Sequence, residues 1–390
     1  MFFGEKLRNL RELNGLSRKE LADRLTVSEQ AVWQYEAESM VPGIGVLNHL
    51  RQLFQVDTRY FFTKDRLTAV ATEEHVAYRA RDRESRKKTK LELAYINYLD
   101  NYLNYFERFL VSPTASIRAL QRRIIALVQA HTELTDTVIA QAAEEARQFL
   151  GLTSNRDLMY VLEMSGIYIV EKDLGPVVDA YSTVTKDGRA FIVLGNIKKS
   201  AVRRNFDLAH ELGHLLLHTT VDMATLTKAE HKLIEQQANM FASVFLMPAA
   251  AFKADFTNLR RRSNPDSYIK LKQKYLVSIV ALEYRAYKLG LLTYQENRYF
   301  FGQMHKKGYA ALEPLDDQLA PVRPSRIKSL IQLLFSKQVL TVSDLGQTLH
   351  VTPAFIIRLF SLDANFFEPY MQHKQATFSS AEIIPLKRSV

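Results

Sequence analysis

Residues 206–218 read Phe-Asp-Leu-Ala-His-Glu-Leu-Gly-His-Leu-Leu-Leu-His. The stretch is strongly helical, and it contains H-E-x-x-H. His210 and His214 are four residues apart, so both imidazoles leave the same helix face, one turn from each other. That spacing lets both nitrogens reach one metal ion, with Glu211 beside them to take a proton from water. Leu208, Ala209, Leu212, Leu215 and Leu216 bury the rest of the helix, giving the ligands an apolar surround. A catalytic zinc takes three protein ligands and keeps one position open. Glu235, 21 residues past His214 on the helical pattern Ile234–Ala242, is the expected third, with Glu230 and His231 as local competitors. Asn239, one turn after Glu235, is placed to hydrogen-bond a ligand. His218 lies too far along the helix to join the ligands, and is read as a supporting or packing residue. The expected cofactor is Zn2+, although manganese or iron suits the same donors.

Two short strands precede this helix, Ile167–Val170 and Ala190–Leu194, the second after a Lys186-Asp187-Gly188 turn. Ala190–Leu194 is expected as an exposed edge strand able to hold an extended peptide by strand addition. Tyr181 and Ser182, just before it, are candidates to line the cleft. Elsewhere helical periodicity dominates. The first 65 residues hold short helices marked by Leu7 and Leu10, Leu21 and Leu25, Val32 and Tyr35, and Val46 and Leu50. Ser17 with Glu20 forms a capping box, and Ser28 is a plausible cap. This rhythm fits a helix-turn-helix. In such a unit the helix opening near Ser28 enters the major groove, making Ser28, Glu29, Gln30, Ala31 and Gln34 candidate base contacts. Arg18 and Lys19, at the start of the preceding helix, are candidate phosphate contacts. Trp33, the single tryptophan, is expected in the core or at a dimer contact.

Residues 79–90 carry seven basic side chains against two acidic ones, half of the chain's net charge of +10. They read as a solvated linker helix, with phosphate binding as the alternative. A helix rich in aromatics follows, with Tyr95, Tyr98, Tyr102, Tyr105, Phe106 and Phe109, ending before Ser112-Pro113. Its spacing is that of core or helix pairing, and it is a candidate homodimer surface. Thr341–Pro353 repeats a helix-turn-helix rhythm and is read chiefly as a packing module.

Composition sets the outer bounds. The 390 residues are 47% hydrophobic, with 25 Gly plus Pro, which excludes a disordered or collagen-like chain and suggests two or three domains. The chain has no cysteine, which excludes disulfide scaffolds, Cys-ligated zinc, iron–sulfur clusters and a thiol nucleophile. The first residues lack the apolar run of a signal peptide, and no segment reaches the ~20 apolar residues of a membrane span. The expectation is a soluble cytoplasmic protein with no membrane partner.

Residues 203–218 (RRNFDLAHELGHLLLH), 235–248 (EQQANMFASVFLMP) and 271–289 (LKQKYLVSIVALEYRAYKL) together resemble the ImmA/IrrE family of metallopeptidases. Residues 16–42 (LSRKELADRLTVSEQAVWQYEAESMVP) resemble the XRE-type helix-turn-helix of phage repressors. The likeness spans roughly 5–60 and 145–300. It implies a gluzincin-like site with His210, His214 and Glu235 on zinc and Glu211 as general base. It also implies cleavage of a repressor in a stress or mobile-element response. One departure stands out: the XRE pattern has Gly two residues after the acidic position of Glu36, and here Glu38 stands there.

The expected fold is thus mainly α with a small β-sheet (α+β). It divides into a five-helix helix-turn-helix domain at 1–65, a basic and aromatic helical linker at 66–112, a zincin-like domain at 113–305 and a helical C-terminal module at 306–390. The expected function is a DNA-binding regulator with a zinc endopeptidase domain. Its partners are a double-stranded DNA operator, a repressor- or antitoxin-like protein substrate and a second copy of the chain as homodimer. The alternative is a regulator or antitoxin whose metallopeptidase-like domain serves only as sensor or docking module.

Overall fold

The computed structural model describes residues 1–65, 67–72, 83–110, 115–175, 178–196, 200–223 and 225–371. The fold is mainly helical around one three-stranded sheet. Helices α1 (Gly4–Leu13), α2 (Arg18–Leu25), α3 (Glu29–Glu36) and α4 (Ile44–Phe54) form the N-terminal unit, and its fifth helix is a 3-10 turn at Thr58–Phe62. The capping box of Ser17 with Glu20 is present, and the Ser28 hydroxyl caps α3 by accepting from the Ala31 N–H at 3.1 Å. Glu38 adopts φ 59°, so the left-handed turn after α3 forms without glycine. Its carboxylate then accepts from the Gly4 N–H at 3.1 Å. Gly4 itself is obligatory, because a Cβ there would lie 2.3 Å from the Tyr35 carbonyl.

The 25-residue helix α5 (Arg83–Glu107) runs about 37 Å beneath this unit. Arg79 and Arg81 of the basic run lie outside the described residues, as does the Ser112-Pro113 stop. Lys87 pairs with Glu20 of α2 at 2.7 Å, so part of the run ties α5 to the helix-turn-helix. Tyr95, Tyr98, Tyr102, Tyr105 and Phe106 are all buried. Tyr98 and Tyr102 pack on Phe355, and the Tyr98 hydroxyl bonds that of Tyr60 at 2.9 Å. The face expected to bind a second copy is therefore filled from within the chain.

Helices α6 (Ile117–Gln129), α7 (Asp136–Phe149) and α8 (Leu158–Met164) lead into strand β1 (Tyr168–Lys172). Strands β2 (Ala180–Val184) and β3 (Ala190–Gly195) complete the sheet in the order β1-β3-β2, with β1 parallel and β2 antiparallel to β3. The expectation of Ala190–Leu194 as an edge strand is corrected: it is the central strand, every residue of it buried. The edges belong to β1 and β2. The alternation of side chains along a strand splits the sheet between two cores. Tyr168, Val170, Phe191 and Val193 face the core of α5 and the N- and C-terminal units. Ile169, Ala190, Ile192 and Leu194 face the other core. Arg189 joins the layers by pairing with Asp100 and Glu107 of α5, each at 2.7 Å.

That second core is built by α9 (Ala201–Leu217), α10 (Lys228–Leu246), α11 (Ala249–Thr257), α12 (Ile269–Tyr275), α13 (Ile279–Lys288) and α14 (Tyr294–Lys306) with α6 to α8. The last carbonyls of α10, which a helix end leaves without partners, are met by Arg147, Asn155 and Arg285 at Phe245, Leu246 and Met247. Glu283 on α13 is fully enclosed, and its Oε1 has no hydrogen-bond partner. Burial alone pushes its carboxyl up to about 7 from 4.5. The native state therefore keeps a proton that the unfolded chain loses between pH 4.5 and 7. Stability falls as pH rises through that window, by roughly 3 kcal/mol from this group. Glu283→Gln is expected to remove that fall. Urea midpoints at pH 5 and pH 8 check it, and equal pH slopes in variant and wild type would count against it.

The C-terminal helices are α15 (Arg326–Ser336), α16 (Val342–Gln347), α17 (Pro353–Phe360) and α18 (Glu368–Met371). Phe355, Ile356, Leu359 and Phe360 bury one face of α17 in the core it shares with α5. Val351 bridges to Val56, and the Thr352 N–H donates to the Gln55 carbonyl at 3.1 Å. The second helix-turn-helix rhythm thus packs one face of α17 against α5 and the N-terminal unit. No helix among the described residues is long and apolar enough to cross a membrane.

Candidate metal centre and DNA-facing helix

The H-E-x-x-H segment lies in α9, and α10 packs along it. Gly213 makes this approach possible: a Cβ there would meet the Phe241 ring at 3.1 Å. Close packing brings Glu235 over the two histidines. The ligand atoms of His210, His214 and Glu235 lie within 4.8 Å of one another, the one such cluster among the described residues. His210 Nε2 and His214 Nε2 are 3.0 Å apart, and the Glu235 carboxylate is 3.4 Å from the first and 3.8 Å from the second. Donors about 2.0–2.2 Å from a tetrahedral zinc stand about 3.3–3.5 Å from each other, so the donor set fits such an ion. Glu230, by contrast, closes the capping box with Thr227 at the start of α10, and His231 is not in the cluster.

The outer nitrogens fix the tautomers. His210 Nδ1 donates to Asn239 Oδ1 at 3.0 Å. His218 donates through Nε2 to Gln237 Oε1 at 3.0 Å, which leaves its Nδ1 to accept from His214 Nδ1 at 3.1 Å. Burial lowers the His218 pKa to about 4, so it stays neutral in this relay. Both ligand imidazoles then present Nε2 lone pairs to one point. Two lone pairs and a carboxylate so placed form a donor set that could hold a cation. Burial opposes charge on His210, yet Glu235, Glu211 and Asn239 together outweigh it and the His210 pKa is raised. Asn239 and His218 stand where the spacing put them. Gln237 carried no signal in the sequence, since it sits off the face that Glu235 and Asn239 share.

Glu211 is buried beside the cluster. Burial pushes its carboxyl up to about 7, opposed by His210 and by the Ser182 hydroxyl, which donates to its Oε2 at 2.7 Å. Ser182 stands on β2, so the edge strand runs directly beside the H-E-x-x-H helix. Tyr181, its neighbour, points to the opposite face and donates to Glu92 at 2.6 Å. Its expected place in the cleft is thereby corrected.

On the N-terminal unit, α3 presents Glu29 and Gln30 exposed and Gln34 partly so. Lys19 is exposed at the start of α2, whereas Arg18 pairs with the buried Glu36 at 2.7 Å, next to Arg11 at 2.5 Å. Trp33 is 46% exposed on the outer face of α3, so of its two expected places, core or dimer contact, the core is corrected and the exposed face leaves the second.

Residues 4–66 match the model of a helix-turn-helix domain, and residues 162–287 match that of an IrrE N-terminal-like domain, a peptidase family. A comparison with curated proteins finds no match. The chain therefore joins a DNA-binding type of domain to a metallopeptidase-like one. More particularly, it is a fusion of an XRE-type helix-turn-helix with an ImmA/IrrE-like domain, as the two sequence stretches imply.

Proposed function

We propose that the chain is a DNA-binding regulator that also acts as a zinc-dependent endopeptidase on a repressor- or antitoxin-like protein. The observation that carries the peptidase half is the convergence of two Nε2 lone pairs and the Glu235 carboxylate, each imidazole locked from behind. His210, His214 and Glu235 are the residues to hold the ion, which supplies a Lewis acid at the scissile carbonyl. Glu211 takes a proton from the attacking water at its carboxylate. It passes that proton to the leaving amine as the peptide C–N bond breaks, giving a new carboxylate and a new amino terminus. Ser182 holds Glu211 in place. The outer edge of β2, without a strand partner among the described residues, offers its backbone to an extended substrate.

For the regulator half, Gln30 and Gln34 suit bidentate pairing with adenine, and Lys19 suits phosphate. Gln30→Ala is expected to weaken binding to the gene's own upstream region by about 1–3 kcal/mol, roughly 5- to 150-fold. Footprinting at fixed salt measures it, and unchanged protection would remove Gln30 from the interface. Mapping of new protein N-termini tests the peptidase half. Cells expressing the chain should show discrete new termini that vanish with His214→Ala. No difference between the two would defeat the reading.

A further inference from the structure

Beside the metal centre lies a cavity of about 360 Å³ lined by Phe206, Asn239, Ser243, Val280, Ala281 and Tyr284. Phe206 precedes His210 by one turn of α9, and Ser243 follows Asn239 by one turn of α10. The cavity therefore begins where Asn239 supports His210 and extends about 6 Å further along the two helices. That is the reach of one long side chain from a backbone held at the metal ligands. The size is at the small end of ligand pockets, about 300–1,000 Å³.

Its walls are built rather than incidental. Ser278 caps α13, accepting from the Ala281 N–H at 3.0 Å, and the Glu313 carboxylate accepts from the Ile279 and Val280 N–H groups at 2.7 and 3.2 Å. This anchored turn leaves Val280, Tyr284 and Tyr287 exposed at helical spacing, an apolar stripe leading into the cavity. At the other wall, the Ser243 hydroxyl is buried and has no hydrogen-bond partner. Such a group carries an unmet desolvation cost until something bonds it.

We infer that this cavity selects substrates by a bulky apolar side chain next to the scissile bond, tyrosine foremost because its hydroxyl can meet Ser243. The inference rests on the peptidase reading of the adjoining metal centre. It gives that reading a substrate class: protein segments in which a large aromatic residue flanks the cleaved bond. Val280 and Tyr284 are the specificity-determining residues, and both are exposed enough to be changed without disturbing the core.

Calorimetry on the zinc-loaded full chain tests this without turnover, with glycine, phenylalanine and tyrosine hydroxamates as probes. Tyrosine hydroxamate is expected to bind tightest, at least tenfold tighter than glycine hydroxamate. Val280→Trp, which narrows the mouth, should abolish that ranking, and Tyr284→Ala should reduce it, with metal content unchanged in both. Equal binding of all three probes to a zinc-loaded wild type overturns the pocket while leaving the metal centre intact. So does a ranking that survives Val280→Trp. Failure of the wild type to take up metal overturns the peptidase reading and the pocket with it.

Discussion

Glu211→Gln is expected to keep the metal and lose cleavage. Glutamine has nearly the same shape, and its amide oxygen still accepts from Ser182, so the packing of α9 against β2 is undisturbed. What disappears is the proton acceptor. A positioned general base contributes a factor of about 10²–10⁴, and the loss should fall in that range. The ligands His210, His214 and Glu235 are untouched by the change, which separates a chemical defect from loss of the ion. Cleavage of the partner protein, followed by gel and by mass spectrometry, reads the effect alongside metal content. A variant that still cleaves at the wild-type rate removes Glu211 from the reaction.

The second large effect lies away from the metal. Lys272 on α12 is completely buried, with its ammonium 2.8 Å from Glu313 and 2.7 Å from Asp316, themselves buried. Asp316 also accepts from the Ser200 hydroxyl at 3.2 Å, and the Ala201 N–H donates to the Leu319 carbonyl at 2.7 Å. The cluster thus clamps the segment after α14 to the start of α9 and to the start of α13. Lys272→Met leaves two carboxylates buried without their cation. Breaking one side of such a cluster costs about 3–5 kcal/mol, and the urea midpoint should drop accordingly. Removing the charges together, in Lys272→Met with Glu313→Gln and Asp316→Asn, should recover most of the loss. A single variant as stable as wild type would show that the ion cluster is not what holds this corner.

The sequence was most informative where local spacing and chemistry coincide. H-E-x-x-H puts two ligands on one turn by helix geometry alone, and the Glu235 and Asn239 positions follow from a second helix of the same period. The capping box of Ser17 with Glu20 and the cap at Ser28 could likewise be read directly. What escaped was set by long-range pairing. Strand β2 was missed, although Tyr181, Thr183 and Val184 before a Lys-Asp-Gly turn are a hairpin signal. Without it β3 looked like an edge. Nor can periodicity say which way two neighbouring strand residues point, which is why Tyr181 and Ser182 were not told apart. The aromatic spacing of α5 correctly implied packing, but the partner, Phe355, is more than 250 residues away. The Lys272 cluster has no local signature at all, since its members are 41 and 44 residues apart. Trp33 shows the converse limit: a large apolar residue on a short helix reads equally as core or as dimer contact, and only the fold shows that α3 keeps it on the outer face.

The metal centre is tested most simply by the metal content of the purified full chain and of His210→Ala, measured by mass spectrometry after zinc is supplied. Close to one zinc per chain is expected in the wild type and little in the variant. A wild type without metal, or a variant that holds as much as the wild type, would contradict it.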